Sequence, residues 1–430
     1  MRRGSCFSLQ RGIPLRSFPI VVLVASLSSA PARPAEASPN GDSTPTLEAA
    51  KYFDSAFLQR SEAYNRTKIL FALNWRAIRW AAYLTLLLTP FLAGLAAASA
   101  RRWPERENLR VFVLAWVVLG ITFLATAPIS FASGHLQEHR YGLSRQSAAG
   151  WVADALKVLA VNGAATSLLT VLWFALRRRA SRRGWAVFAT AAVVAGGLAT
   201  LVYPLAVDPL FHDFRSLEDD DLRRDILELG RREGVRVERV LVMEASAKTV
   251  RENAYVTGLG RTARVVLYDT LLENAPRAEL RSTVAHELGH WSRAHVGKGL
   301  VLWAAAAPFL CWLLWSLHGR LSRNRALRLD GPADPASIPL VLLLLSVLLA
   351  VSDPFALAIS RAFEREADRV ALQLTQDPGT FIEAKRRSAV QNLGWVDPPD
   401  LVKALFWTHP TTLERIRMAE SWGDVVGGAR

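Results

Sequence analysis

Two histidines four residues apart, His286 and His290, with Glu287 beside the first, carry the strongest chemical signal in the sequence. On a helix, residues i and i+4 share a face, so both imidazoles can reach one zinc ion while the glutamate points into the same cleft. A bound zinc brings the pKa of its water toward about 7, and the glutamate can then take the proton as that water attacks a peptide carbonyl. The helix this requires is written around the motif. Asn274 and Pro276 mark its start, Glu279 lies in its first turn, and Leu280, Val284 and Leu288 recur at four-residue spacing as a buried stripe.

Five residues alone would also suit a polar stripe on a solvated helix, so a third ligand decides the reading. The metzincin pattern asks for a glycine three residues after His290 and a histidine three residues beyond it. The sequence has Arg293 and Val296 there, with His295 one position out of register, which excludes that class. A better source is the stretch from Ser360 to Asp368, where Glu364 and Asp368 share a helical face and Glu366 is turned away from it. Glu364 suits the metal, and Asp368 suits a ligating imidazole that needs its other nitrogen held.

His286-Glu287-Leu288-Gly289-His290-Trp291 followed by Ser-Arg-x-x-Glu-x-x-Ala-Asp at 360–368 resembles the CAAX prenyl protease 1 family of integral-membrane zinc metallopeptidases, with the HtpX heat-shock proteases as more distant relatives. Further stretches agree in family order. They are Tyr141-Gly142-Leu143-Ser144-Arg145-Gln146, Tyr203-Pro204 with Pro209-Leu210-Phe211, the run Asn253 to Leu259 with Val265 to Leu271, and Thr408-His409-Pro410 with Leu413-Glu414-Arg415-Ile416. The resemblance covers roughly 140 to 420 and leaves the first 75 residues unmatched. It implies one zinc per chain, a large helical chamber with the metal facing its interior, and a cleft lined by the strand bearing Asn253, Ala254 and Tyr255. It also implies a supporting catalytic role for His409, which would approach the metal site and hold the carbonyl oxygen as charge develops there. The implied substrate is the carboxyl terminus of a prenylated protein.

The rest of the chain is built to carry such a site into a membrane. Six apolar runs, near 80–99, 111–129, 158–176, 185–207, 300–317 and 338–359, each approach the ~20 residues that cross a bilayer. A basic start, an apolar core from Phe18 to Leu27 and Ala35-Glu36-Ala37 read as a cleaved secretory signal over 1–37. A retained first helix is the alternative and would bring the spans to seven, the number frequent in the family. Residues 38–55, rich in Pro, Ser, Thr and Ala, read as a linker or disordered tail, within a linker and amphipathic segment over 38–75. The fold class expected is therefore an α-helical multi-pass membrane protein of six or seven transmembrane helices, with a zincin-type domain containing a small β-sheet.

Between the fourth and fifth runs lies a polar insert, about 208–299 with the zinc helix. The acidic cluster from Glu218 to Asp221 suits the first turn of a helix continuing to Glu233. Val235–Met243 and Ala263–Tyr268 alternate as strands do, with Gly258 and Gly260 in the turn before the latter. An edge strand at 253–256 could take an extended peptide through main-chain hydrogen bonds; for Asn253 alone, a simple turn position is an equal reading. A transmembrane hairpin over 300–360 then returns the chain to Glu364, followed by the catalytic carboxyl-terminal helices of 361–430. Leu413 and Ile416 read as an amphipathic helix with Glu414 and Arg415 as a structural pair.

The net charge of +14 raises the question of nucleic acid, but its distribution answers it. Arginines cluster at 101–110, 177–183 and 320–328, between successive apolar runs, as orienting charges do, so no nucleic-acid partner is expected. If the six spans alternate, these loops share the cytoplasmic side and the zinc helix lies on the extracytoplasmic one. The two cysteines, Cys6 and Cys311, offer no disulfide framework and no thiolate zinc site. Together these features describe a membrane zinc metalloendopeptidase acting on peptides or proteins, and the resemblance implies prenylated ones. The alternatives are a quality-control protease of HtpX type and, in another class, a scaffold or transporter with a structural zinc. An intact general base and an open coordination position argue against that last class.

Overall fold

The computed structural model describes residues 47–179, 182–257 and 264–427. The leader, the residues up to 46 and the turn at Gly258 and Gly260 lie outside the described residues.

The first apolar run is divided by its own chemistry. Asp54 caps helix α1 (Ser55–Leu88) by accepting from the Phe57 amide at 2.8 Å. The helix stops at Thr89, held extended by the following Pro90, and α2 (Phe91–Arg102) leaves at a 59° bend. Residues 55–75 are therefore no linker. They are the first 21 residues of a 34-residue helix, which is about 51 Å long and well beyond the ~30 Å bilayer core. The stretch before it is packed too, with Ala49 and Phe53 buried against Leu143, Leu393, Leu413 and Ile416. The composition of 38–55 suggested a tail, but the apolar residues at its end find a core that only the folded chain supplies.

Helix α3 (Glu107–Phe131) runs through one π turn at Ala132–Leu136 into α4 (Gln137–Arg140), followed by α5 (Ala148–Arg178) and α6 (Gly184–Val202). Helices α10 (His295–Leu321) and α11 (Ile338–Thr375) complete the bundle. Among the described residues, five helices are long and apolar enough to cross a membrane, or six if α1 and α2 count as one bent span. The bundle core joins Leu86, Leu114, Val118, Trp173, Phe174, Leu314 and Val341. At one end the arginine clusters meet: Arg178 pairs with Glu107 at 2.6 Å, and the Arg177 guanidinium lies 3.5 Å above the Trp315 ring.

The insert folds as a four-stranded sheet of β1 (Phe214–Ser216), β2 (Arg239–Met243), β3 (Ala254–Thr257) and β4 (Arg264–Tyr268), in the order β1-β2-β4-β3. β2 and β4 run parallel, and the outer strands are antiparallel to them. Four of the five residues in both β2 and β4 are buried, so the alternation expected of them gives way to continuous burial, as central strands require. The amphipathic α7 (Asp220–Arg232), capped by Asp219, sends Leu222, Ile226 and Leu229 into the same core as Leu280, Val284 and Leu288 of α9 (Arg277–Ser292). The short α8 (Asp269–Asn274) joins β4 to α9, and α12 (Pro378–Asn392), α13 (Asp400–Phe406) and α14 (Thr412–Gly427) follow α11.

The Tyr141–Gln146 stretch ties bundle to insert. Gly142 takes φ +72° to make the turn, Ser144 bridges to Thr249, and the Arg145 amide donates to the Lys248 carbonyl at 2.7 Å.

Candidate active site

The site forms where α9 crosses α11. A Cβ on Gly289 would lie 3.0 Å from the Ala367 Cα and 3.1 Å from its carbonyl oxygen, so the glycine permits a backbone approach that a side chain would push apart by a few tenths of an ångström. That approach brings Glu364 to the two imidazoles. His286 Nε2 lies 3.2 Å from Glu364 Oε2, His290 Nε2 lies 3.3 Å from Glu364 Oε1, and the two Nε2 atoms are 3.3 Å apart. One ligand atom from each residue falls within 4.8 Å of the others. Bonds of about 2.0–2.1 Å in a tetrahedron have edges near 3.3 Å, so this spacing fits zinc.

The protonation pattern also fits. His286 Nδ1 lies 2.8 Å from Asp368 Oδ1, and Arg415 Nε donates to Asp368 Oδ2 at 2.8 Å. With Nδ1–H given to that carboxylate, Nε2 presents a lone pair to Glu364 Oε2, which is buried and has no donor of its own. Two lone pairs facing each other in a buried site repel unless a cation lies between them. Burial alone would lower the His290 pKa, yet Glu364, Glu287 and Asp368 outweigh it and hold the pKa above the ordinary imidazole value. The carboxylates thus make a site that favours positive charge.

Asp368 is fully buried and has a second cation, Lys385 Nζ at 3.8 Å. Burial, aided by Arg415, pushes the Lys385 pKa down to about 8. The expectation that Arg415 pairs with Glu414 is corrected here. Adjacent helical residues do not face each other, and Arg415 turns inward to Asp368 while Glu414 accepts from the Thr411 amide at 2.8 Å and from Lys403 at 3.1 Å. Sequence reasoning missed Arg415 and Lys385 as site residues, since each meets Asp368 only through the tertiary fold.

His409 Nε2 lies 3.2 Å from Glu364 Oε1, with its Nδ1 2.7 Å from the Thr408 hydroxyl. Arg361, one turn before Glu364, positions this loop by donating to the carbonyls of Lys403 at 2.9 Å and Trp407 at 2.7 Å. β3 occupies the sheet edge expected of it. Asn253 and Ala254 line the cleft with Glu287 and His286, whereas Tyr255 does not. Its hydroxyl donates to Asp208 at 3.0 Å and its ring packs against the sheet core, because successive strand residues face opposite sides.

The cleft is one end of a cavity of about 540 Å³. From Glu287, His286 and His409 it extends between α1, α3 and α5, where Phe71, Ala72, Trp75, Ile129 and Trp151 give an apolar patch beside the charged Lys68, Arg76 and Glu138.

The chain matches the model of peptidase family M48 over residues 216–423, and that of the CAAX prenyl protease N-terminal region, with five membrane helices, over 40–213. It is 30% identical over 378 residues to an uncharacterized metalloprotease, YhfN, of Bacillus subtilis, covering 86% of this chain and 87% of that one. The chain belongs to the CAAX prenyl protease family. CAAX prenyl protease 1 of Saccharomyces cerevisiae is 26% identical over 316 residues, 69% of each chain. The crystal structure of S. mikatae Ste24p shares the fold, with a TM-score of 0.76 at 22% identity, covering 87% of this chain and 91% of that one. As a member of this family the chain is a multi-pass membrane metalloprotease of the CAAX protease type, acting on peptides or proteins with a metal cofactor.

Proposed function

We propose that the protein is a zinc-dependent endopeptidase of the gluzincin type that removes carboxyl-terminal residues following a prenylated cysteine. The observation that carries this reading is the cavity that joins Glu287 to an aromatic and aliphatic patch among the membrane helices, within a lining that also holds Lys68, Arg76 and Glu138. A peptide with an apolar chain near its scissile bond would lay the chain against Trp75 and Ile129 and its backbone along β3, with Asn253 and Ala254 beside it.

His286, His290 and Glu364 hold the zinc, with His286 fixed in its tautomer by Asp368. Bound zinc supplies Lewis acidity and a water of lowered pKa. Glu287 takes the proton of the attacking water as its oxygen bonds to the carbonyl carbon. It then delivers that proton to the amide nitrogen as the carbon–nitrogen bond breaks. His409, held by the loop that Arg361 fixes, directs Nε2 to the place where charge develops on the carbonyl oxygen. The arginine-rich end of the bundle lies in the cytoplasm in this reading, which places the site toward the extracytoplasmic side.

The test uses full-length protein in detergent and one peptide in two forms, farnesylated and unmodified. The reading expects preference for the farnesylated peptide, and Ile129→Glu should lower kcat/KM for that peptide alone by about tenfold or more, because the charge opposes an apolar chain at the wall. Equal cleavage of both peptides by the unaltered protein overturns the prenyl specificity and leaves a general membrane endopeptidase.

A further inference from the structure

The residues that support His286 do not reach His290, one turn further along α9. Its imidazole meets a different set. Ser292 ends α9, Ala294 takes a left-handed conformation with φ 53°, and α10 starts at His295. This reversal places the His295 ring against His290, with the two Nδ1 atoms 3.0 Å apart. His295 Nε2 lies 2.9 Å from Glu366 Oε2. Phe363 stacks on the His295 ring at 4.4 Å and 9°, and the side chain is only 4% exposed. Lys298 Nζ also meets Glu366, at 3.3 Å, with Arg293 Nε further off at 3.9 Å, so the carboxylate is held ionised at the rim.

The direction of every hydrogen bond follows from the Glu366 end. An ionised carboxylate only accepts, so His295 Nε2 carries the hydrogen. A neutral His295 then has a lone pair on Nδ1 and accepts from the Nδ1–H of His290. In a neutral His290, the form that can ligate a metal, that leaves Nε2 as the lone pair facing Glu364.

We propose that His295 and Glu366 act as positioning residues that fix the tautomer and ring orientation of His290 through a carboxylate–imidazole–imidazole chain and so slow the release of the metal. This rests on the zinc reading given above and assigns a role to two residues that it does not use. It also accounts for a histidine that misses the metzincin register. His295 reaches the histidine that ligates the metal and not the metal itself. Glu366, turned away from the Glu364–Asp368 face, is turned toward His295.

The experiment uses full-length zinc-loaded protein and the variants His295→Leu, His295→Asn and Glu366→Gln, each mixed with a chromophoric chelator in excess. Partners of ligating imidazoles are worth about 10–100-fold in metal affinity, so His295→Leu should release zinc faster by about that factor. His295→Asn, whose amide oxygen takes the place of Nδ1 as acceptor, should release it at a rate nearer the unaltered protein, with Glu366→Gln between the two. The cobalt-substituted leucine variant should show a changed visible d–d spectrum. The metal-free leucine and asparagine variants should unfold at the same temperature, which separates this role from mere packing. Release from His295→Leu at the unaltered rate, or from His295→Asn as fast as from His295→Leu, overturns the proposal. An unaltered protein that holds no stoichiometric zinc overturns the zinc reading itself, and the chain's role with it.

Discussion

His286 and His290 sit one helical turn apart and face the same carboxylate, yet they rest on unlike supports. His286 gives its Nδ1–H directly to Asp368, an anion with no exposure, backed by Arg415 and Lys385. His290 reaches its carboxylate through His295, and that carboxylate, Glu366, is 35% exposed and shared with a half-exposed Lys298. In the neutral, metal-ligating form of each ring, both arrangements turn a bare Nε2 toward Glu364. They differ in what their loss should cost, since a buried ion pair cut in half strands a charge, while a rim contact is replaced by water.

The largest effect should come from the buried side. Asp368→Leu leaves Arg415 and Lys385 without their anion and should cost about 3–5 kcal/mol of stability, read by chemical unfolding. Arg415→Met should cost a similar amount by stranding Asp368. A loss near 1 kcal/mol in both would place these charges in contact with water and remove the contrast with His290. Next comes the crossing that brings Glu364 to both histidines. Gly289→Ala introduces a methyl 3.0 Å from the α11 backbone, closer than ordinary contact, and about 1–3 kcal/mol of overpacking is expected, together with weaker zinc binding measured by chelator competition. An unchanged zinc affinity would mean that the helices can part without disturbing the ligands. On the rim, Glu366→Gln should change stability by less than about 1 kcal/mol even as it loosens the metal, so unfolding and zinc release separate there and move together at Asp368. The smallest effect concerns the two ends of the molecule. A Cys at Arg179 in place of the arginine should leave stability unchanged and react with impermeant thiol reagents from the cytoplasmic side alone, and reaction from outside would reverse the proposed orientation.

The parts of the site that the sequence made legible are those written at helical spacing. His286, Glu287 and His290 fall within five residues, and Glu364 and Asp368 share a face in one helix, so local geometry is enough to predict that they converge. Arg415 was not legible, because its neighbour in sequence, Glu414, offers a plausible partner and its actual one lies 47 positions away. His295 was set aside for being out of register with a metal, and what returns it to the site is a left-handed Ala294, a conformation that an alanine does not announce. The membrane helices were visible as apolar runs. The division of the first at Pro90, and its extension back to Ser55, were not visible because the packed residues of that extension, such as Phe57, Leu58 and Tyr64, are interspersed with polar ones and form no continuous apolar run. The strands β2 and β4 read as alternating, although both faces are covered in the fold.

The central claim is that Glu287 moves the proton in a zinc-dependent peptide cleavage, and it is tested most directly by comparing Glu287→Gln with the unaltered protein in cleavage rate and zinc content on the same samples. The account predicts about one zinc per chain in both, since His286, His290 and Glu364 are untouched, and a loss of about 10²–10⁴-fold in kcat for the variant. Cleavage by the variant at the unaltered rate, or activity in a protein that holds no zinc, would contradict it.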